Sequence, residues 1–278
     1  MVKITKTLVL PCLGIFIFGC DSAVEPKFIP GLVVNGQLTA GHTIDSIYIS
    51  WSEDITEVYD NSQVSNALVT INGKQLLEYK NNKGVYYLPD RSFIVQSGKI
   101  YHLEVEANGK KVTSDTKVPA LFNFTSSDVQ NGDTVLYIPG NSWVSDAFFT
   151  LQWLSYNDPD VLIYRILSFA EETTPENFIQ DDRAITDLLK GADRIEINPL
   201  LWWTSDDFKY ARINWMYFNW RGWHSVIVSA MDENYYLYRN GVLFGEQRSG
   251  QQFNQVVVGG YGLFCSAADD TIRVFIVD

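Results

Sequence analysis

Ser97-Gly98-Lys99-Ile100-Tyr101-His102-Leu103-Glu104-Val105, turned by Asn108-Gly109 into Lys111–Val118, is the stretch whose reading decides the fold. Tyr101, Leu103 and Val105 alternate with His102, Glu104 and Glu106, the period of a strand with one buried face. Asn-Gly supplies the two positive-φ residues of a tight hairpin turn. The same grammar runs outward in both directions. Leu32–Thr39 and Asp45–Ser52 are β-rich, the second placing Ile47, Ile49 and Trp51 on one face. Ala67–Ile71 meets Asn72-Gly73 and is answered by Leu76–Tyr79, and Val85–Leu88 follows.

A tyrosine at the entry to a late strand, two residues before a buried position, resembles the tyrosine corner of immunoglobulin-like sandwiches. About seven short strands in some ninety residues fit that fold. The expected class is mainly β with two domains. An N-terminal immunoglobulin-like β-sandwich occupies residues 32–119, and a larger β-sandwich-like domain occupies 120–278. In the second, Phe122–Phe124, Thr134–Ile138, Phe148–Leu154 and Leu162–Phe169 read as strands, the last two as a returning pair about Tyr156–Pro159. Thr174-Pro175-Glu176 has the cap, proline and acid of a helix start, so a short helical insertion is expected near 175–191. Arg194–Ile197, Tyr210–Phe218, Ser225–Met231, Tyr235–Gly241, Leu263–Ala267 and Thr271–Val277 complete the strands, with Asn198–Phe208 irregular between the first two.

The N-terminus has its own pattern. Lys3 and Lys6 precede an apolar run from Leu8 to Phe18, then Gly19-Cys20. This is a secretory signal too short to span a bilayer. A cysteine directly after the small residue marks a lipoprotein signal over 1–19, with a diacylglyceryl group expected on Cys20 as the only attached group. Residues 20–31, broken by Pro26, Pro30 and Gly31, then form the anchor and a tether that holds the body off the surface. Removal of the segment containing Lys3 and Lys6 takes the formal net charge from −12 to −14. A chain this acidic repels phosphate backbones, so nucleic acid is excluded as a partner and membrane attachment falls to the lipid. Cys265 is then without an intramolecular thiol partner and reads as a small buried hydrophobe.

No catalytic pattern stands out, and the expected protein is not an enzyme. His42, His102 and His224 share no short spacing with metal-ligating residues, and no Gly-x-Ser-x-Gly elbow occurs. No cofactor or metal is expected. The acid pairs Asp158/Asp160, Asp181/Asp182, Asp206/Asp207 and Asp269/Asp270 lack the spacing of a calcium loop and read as solvated surface. They are also the only motivation for a hydrolase. Trp202 to Trp223 is the richest aromatic stretch, and apolar residues on both faces of its strand favour core packing. Trp202, Trp203, Asp206 and Asp207, all in the irregular segment, are the candidate ligand or partner contacts.

Three stretches carry a family resemblance. They are Leu151-Gln152-Trp153 with Asn157-Asp158-Pro159 and Tyr164-Arg165; Ser229-Ala230-Met231-Asp232-Glu233-Asn234-Tyr235-Tyr236-Leu237-Tyr238; and Val258-Gly259-Gly260-Tyr261-Gly262-Leu263-Phe264. With the lipid cysteine they resemble a Bacteroidota outer-membrane lipoprotein family catalogued as domain of unknown function 4249. The resemblance implies two β-domains, no known enzymatic activity and a TonB-dependent outer-membrane receptor as partner. It therefore points to an accessory or substrate-capturing subunit of a nutrient transporter, with a surface glycan-binding or adhesion lipoprotein as the alternative. The body would face the cell surface, or, as the alternative, the periplasm.

Overall fold

The computed structural model describes residues 28–53, 62–137, 148–153, 161–179, 200–205, 210–214, 218–243 and 256–277. Cys20, the acid pairs Asp158/Asp160, Asp181/Asp182 and Asp206/Asp207, the turn expected at Tyr156–Pro159 and the strand expected at Arg194–Ile197 lie outside these residues. The chain is mainly β, with two sandwiches sharing one sheet.

The first sandwich is built as its alternation demands. On one side β1 (Leu32–Thr39), β2 (Ile47–Trp51), β5 (Leu77–Tyr79) and β6 (Asn82–Tyr87) pair in the order β1-β2-β6-β5. On the other, β3 (Leu68–Ile71), β4 (Lys74–Gln75), β7 (Ile100–Ala107) and β8 (Lys110–Lys117) pair as β4-β3-β7-β8. Leu32, Val34, Ile47 and Ile49 meet Val69, Ile71, Leu103, Val105 and Val112 in the core. Both Asn-Gly turns have positive φ at each residue, as a two-residue hairpin requires. Tyr101 is buried, and its hydroxyl accepts the Gln96 backbone N–H at 2.8 Å. That back-bond to a residue just upstream is the tyrosine corner. The answer to β3 is shorter than expected: Lys74–Gln75 pairs with it, and the chain then changes sheets at buried Leu76, so that β5 pairs with β6.

The second sandwich packs β9 (Phe124–Ser127), β11 (Phe148–Trp153) and β14 (Tyr210–Asn214) against β12 (Ile163–Ala170), β13 (Leu200–Ser205), β15 (Gly222–Met231) and β16 (Tyr261–Val277), with β10 (Thr134–Leu136) parallel to the end of β16. Phe149, Leu151, Trp153, Tyr164, Ile166, Ile213, Val226, Val228, Val274 and Ile276 form its core. The expected pair β11–β12 is not a hairpin: β11 joins β9 and β14, and β12 joins β13 and β15 in the facing sheet.

Three further expectations are corrected. Tyr235–Gly241 belongs to a helix, α1 (Glu233–Leu243), rather than a strand. The reason is its entrance: the Asp232 carboxylate accepts the Tyr235 N–H at 3.1 Å, an N-cap, and Glu233 lies at the positive end of the dipole. The segment containing Trp202 and Trp203 is a strand, not irregular: β13 pairs with β12, Trp202 opposite Leu167 and Trp203 opposite Ile166. The two strands expected over 263–277 are one strand, β16. Of the insertion near 175–191, the described part is a single 3-10 turn at Pro175–Asn177.

β16 ties the halves together. Tyr261–Ala267 runs parallel to β1, and Ala267–Ile276 runs antiparallel to β15. Val257, Phe264 and Ala268 sit in the first core although they lie far beyond residue 120. The Gly-Gly-x-Gly stretch makes the parallel pairing possible. Gly262 has φ of 102°, and a Cβ there would overlap the Val34 carbonyl oxygen. Among the described residues no helix is long and apolar enough to cross a membrane.

Candidate functional site

An open recess lies at the end of β15 and β16 remote from the first sandwich. Glu172, Asn177, Arg221, Trp223 and Phe275 line it, in a volume of about 430 Å³. Gly222 starts β15 with φ of 96°. The Arg221 guanidinium donates to the Phe178 carbonyl at 3.1 Å, which fixes it against the 3-10 turn. Buried Trp220 stands edge-on to Phe178, with centroids 5.7 Å apart, and so holds that turn to the sheet. Trp223 is half-buried. The Arg273 guanidinium lies 4.0 Å from its ring centroid, and Phe275 meets it edge-on at 5.0 Å. Arg273 in turn forms a two-pronged pair with Glu171, at 2.6 and 2.5 Å. The Arg273 bonds hold the Glu171 carboxyl below its usual range. The recess is therefore lined by an aromatic ring, a carboxylate, an amide and a guanidinium. Groups of these kinds are chemically able to hold a polar ligand by stacking and planar hydrogen bonds.

A second polar cluster is internal. Thr116 of β8 places its hydroxyl 2.5 Å from Asp232 Oδ2 and 2.7 Å from Ser266 Oγ. One hydroxyl carries one proton, so the chain runs Ser266 to Thr116 to Asp232 when the carboxylate is ionised. The Asn234 amide donates to the Asp115 and Phe264 carbonyls, at 2.5 and 2.8 Å. This knot fastens the start of α1 to both sandwiches. Burial pushes the Asp232 carboxyl up to about 6 against the bonds from Thr116 and Tyr235. Beside it, Cys265 is buried and its thiol is raised well above the usual range by desolvation. Arg165, Ser229 and Asp269 stand opposite one another on three neighbouring strands, with the Arg165 guanidinium 5.7 Å from the Tyr235 ring centroid. Burial also raises Asp269.

The residues singled out from sequence scatter. Trp202 and Trp203 are in the backbone ladder of β13, and Asp206 and Asp207 lie outside the described residues. Asp270 accepts the Phe124 N–H at 2.6 Å, so it organises backbone. His42 is in an exposed turn, and His102 is exposed with Nδ1 2.8 Å from Asp115. His224 is buried against Phe218, and desolvation pulls it down to about 4. Among the described residues no three His, Cys, Asp or Glu side chains converge on one point. The recess was missed because Glu172, Asn177, Arg221 and Trp223 meet only through the 3-10 turn and the Gly222 bend. Its one sequence signal is Trp220-Arg221-Gly222-Trp223.

The family model described as "Domain of unknown function (DUF4249)" matches residues 21–273. The chain belongs to this family. No curated protein matches. Among solved structures, this DUF4249 chain overlaps the chicken CNTN1 FN1-FN3 domains at 11% identity and TM-score 0.24, covering 91% of this chain and 67% of that one. It overlaps titin domains I67-I69 at 8% identity and TM-score 0.18, covering 90% and 66% of the two chains. The collagen adhesin from S. aureus aligns at 10% identity and TM-score 0.12, covering 87% and 93%. Overlaps this slight carry no argument about function.

Proposed function

We propose that this DUF4249 protein is a non-enzymatic outer-membrane lipoprotein of the Bacteroidota, held by a diacylglyceryl group on Cys20. It serves a TonB-dependent nutrient transporter as an accessory or substrate-capturing subunit. The recess at Trp223 is the observation that carries this reading, because its ring, guanidinium, amide and carboxylate are groups that hold a ligand. The lipoprotein signal ending at Cys20 and membership of the family support it. Extraction of native membranes in mild detergent, followed by affinity purification, should recover the protein with a TonB-dependent receptor. Recovery of the lipoprotein alone, while the receptor is present in the same extract, would refute the assignment.

The second reading is a surface glycan-binding or adhesion protein, favoured by the half-exposed Trp223 beside Glu172, Asn177 and Arg221. On a glycan array, Trp223→Ala should weaken binding about tenfold or more, the order of a lost aromatic stacking contact. Binding that survives Trp223→Ala but is lost in Trp202→Ala/Trp203→Ala would move the site to β13.

A further inference from the structure

The point where the described chain begins is surrounded by apolar and aromatic side chains. Ile29 is 74% exposed and Tyr261 is 53% exposed. Trp51 pairs with Leu32 and Tyr261 with Val33, so both stand at the first residues of β1. The Tyr261 ring lies over Gly31, where any Cβ would overlap it. The Lys110 ammonium, at the tip of the β7–β8 hairpin, bonds to the Pro30 carbonyl and lies 6.0 Å from the Trp51 ring centroid. Ile29, Pro30, Trp51 and Lys110 together line a recess of about 320 Å³.

Isolated exposed apolar residues need no explanation, but a cluster of this kind marks a surface that meets something apolar. The position of Cys20 decides what that is. Ile29 is nine residues beyond Cys20, and nine residues span at most about 30 Å when fully extended. An acylated Cys20 therefore keeps this end of the body within reach of the bilayer. Trp and Tyr rings prefer the headgroup level, and a lysine there extends its ammonium to the phosphates while its stem packs on apolar neighbours.

We propose that the end of the first sandwich formed by Ile29, Pro30, Trp51, Tyr261 and Lys110 rests in the headgroup layer of the membrane that holds Cys20. This builds on the lipoprotein reading above. The body then lies against the membrane by this end rather than standing off on a tether, and the Trp223 recess, in the other sandwich, faces away from it. With a net charge of −14 after removal of the leader, apolar contact rather than attraction to anionic lipid holds it there.

The test uses the mature acylated protein in phosphatidylcholine–phosphatidylethanolamine vesicles, with a nitroxide at Ile29→Cys or, as reference, at exposed Leu136→Cys in the second sandwich. Cys265 is buried and Cys20 is acylated, so the label goes to the introduced thiol. Accessibility to oxygen relative to a water-soluble nickel chelate should be several-fold higher at position 29 than at 136. Equal ratios, in a preparation whose mass shows acylated Cys20, would overturn the proposal and leave the anchor standing. Poor access to both reagents at position 29 would mean a protein contact, and would overturn it too. A mass showing unmodified Cys20 would take down the lipoprotein reading together with this one.

Discussion

Asp232 and His224 are both buried titratable groups, and their effects on stability run in opposite directions. His224 is held near 4 in the folded chain, below its ordinary 6.5, so its contribution is complete above pH 6.5 and is lost as pH falls toward 4. Asp232 is held near 6, above its ordinary 3.8, so the cost of its buried charge is present above pH 6 and disappears as pH falls toward 4. Each shift corresponds to roughly 3 kcal/mol, and the windows overlap. Stability of the wild-type protein should thus change little from these two groups between pH 6 and 4. Asp232→Asn should leave the histidine uncompensated and lose stability on acidification, whereas His224→Phe should gain it, by about 2–3 kcal/mol each. Urea denaturation at pH 4.5 and 7 checks this, and parallel pH profiles for both variants would contradict it.

At the scale of the element, β16 depends on a backbone that approaches β1 without side chains between. Gly262 combines positive φ with contact against the Val34 carbonyl. Gly262→Ala must either displace β1 or distort β16, and should cost about 3 kcal/mol or more, near the limit for a single substitution. Thermal melting should show a fall well beyond that of Gly73→Ala, where the Cβ meets nothing and only the positive φ is unfavourable. Equal melting temperatures for the two would refute the close-approach account. The helix α1 is likewise decided at the scale of the element. Tyr235-Tyr236-Leu237-Tyr238 is rich in residues that favour strands, but Asp232 caps the backbone and the Tyr235 and Tyr236 rings pack over Cys265, Ala267 and Ile163. The cap was visible in Asp232-Glu233-Asn234, and tertiary packing outweighed the aromatic propensity.

For the whole molecule, the division read near residue 119 does not coincide with the division of the cores. The first core takes Val257, Phe264 and Ala268 from the C-terminal region, and β1 pairs on one edge with β16. A fragment ending at residue 119 would leave Leu32 and Val34 partly uncovered and the β1 edge open, which destabilises the core and invites edge-to-edge association. Residues 28–119 alone should therefore be poorly folded or aggregated by circular dichroism and size-exclusion chromatography. The intact chain should unfold in one cooperative transition by calorimetry. A sharp, native-like melt of the fragment would show that the first sandwich is self-sufficient.

Local alternation and turn chemistry, read from the sequence alone, determined the mainly β class, most strand positions, both Asn-Gly hairpin turns and the Tyr101 corner. These depend on residues within a few positions of one another, or on a period of two that any half-buried strand must keep. The sheet partners of β11 and β12, the passage of β16 through both sandwiches and the recess at Trp223 were decided only in three dimensions. Each joins residues distant along the chain, and a strand's side-chain pattern records that one face is buried without recording against what.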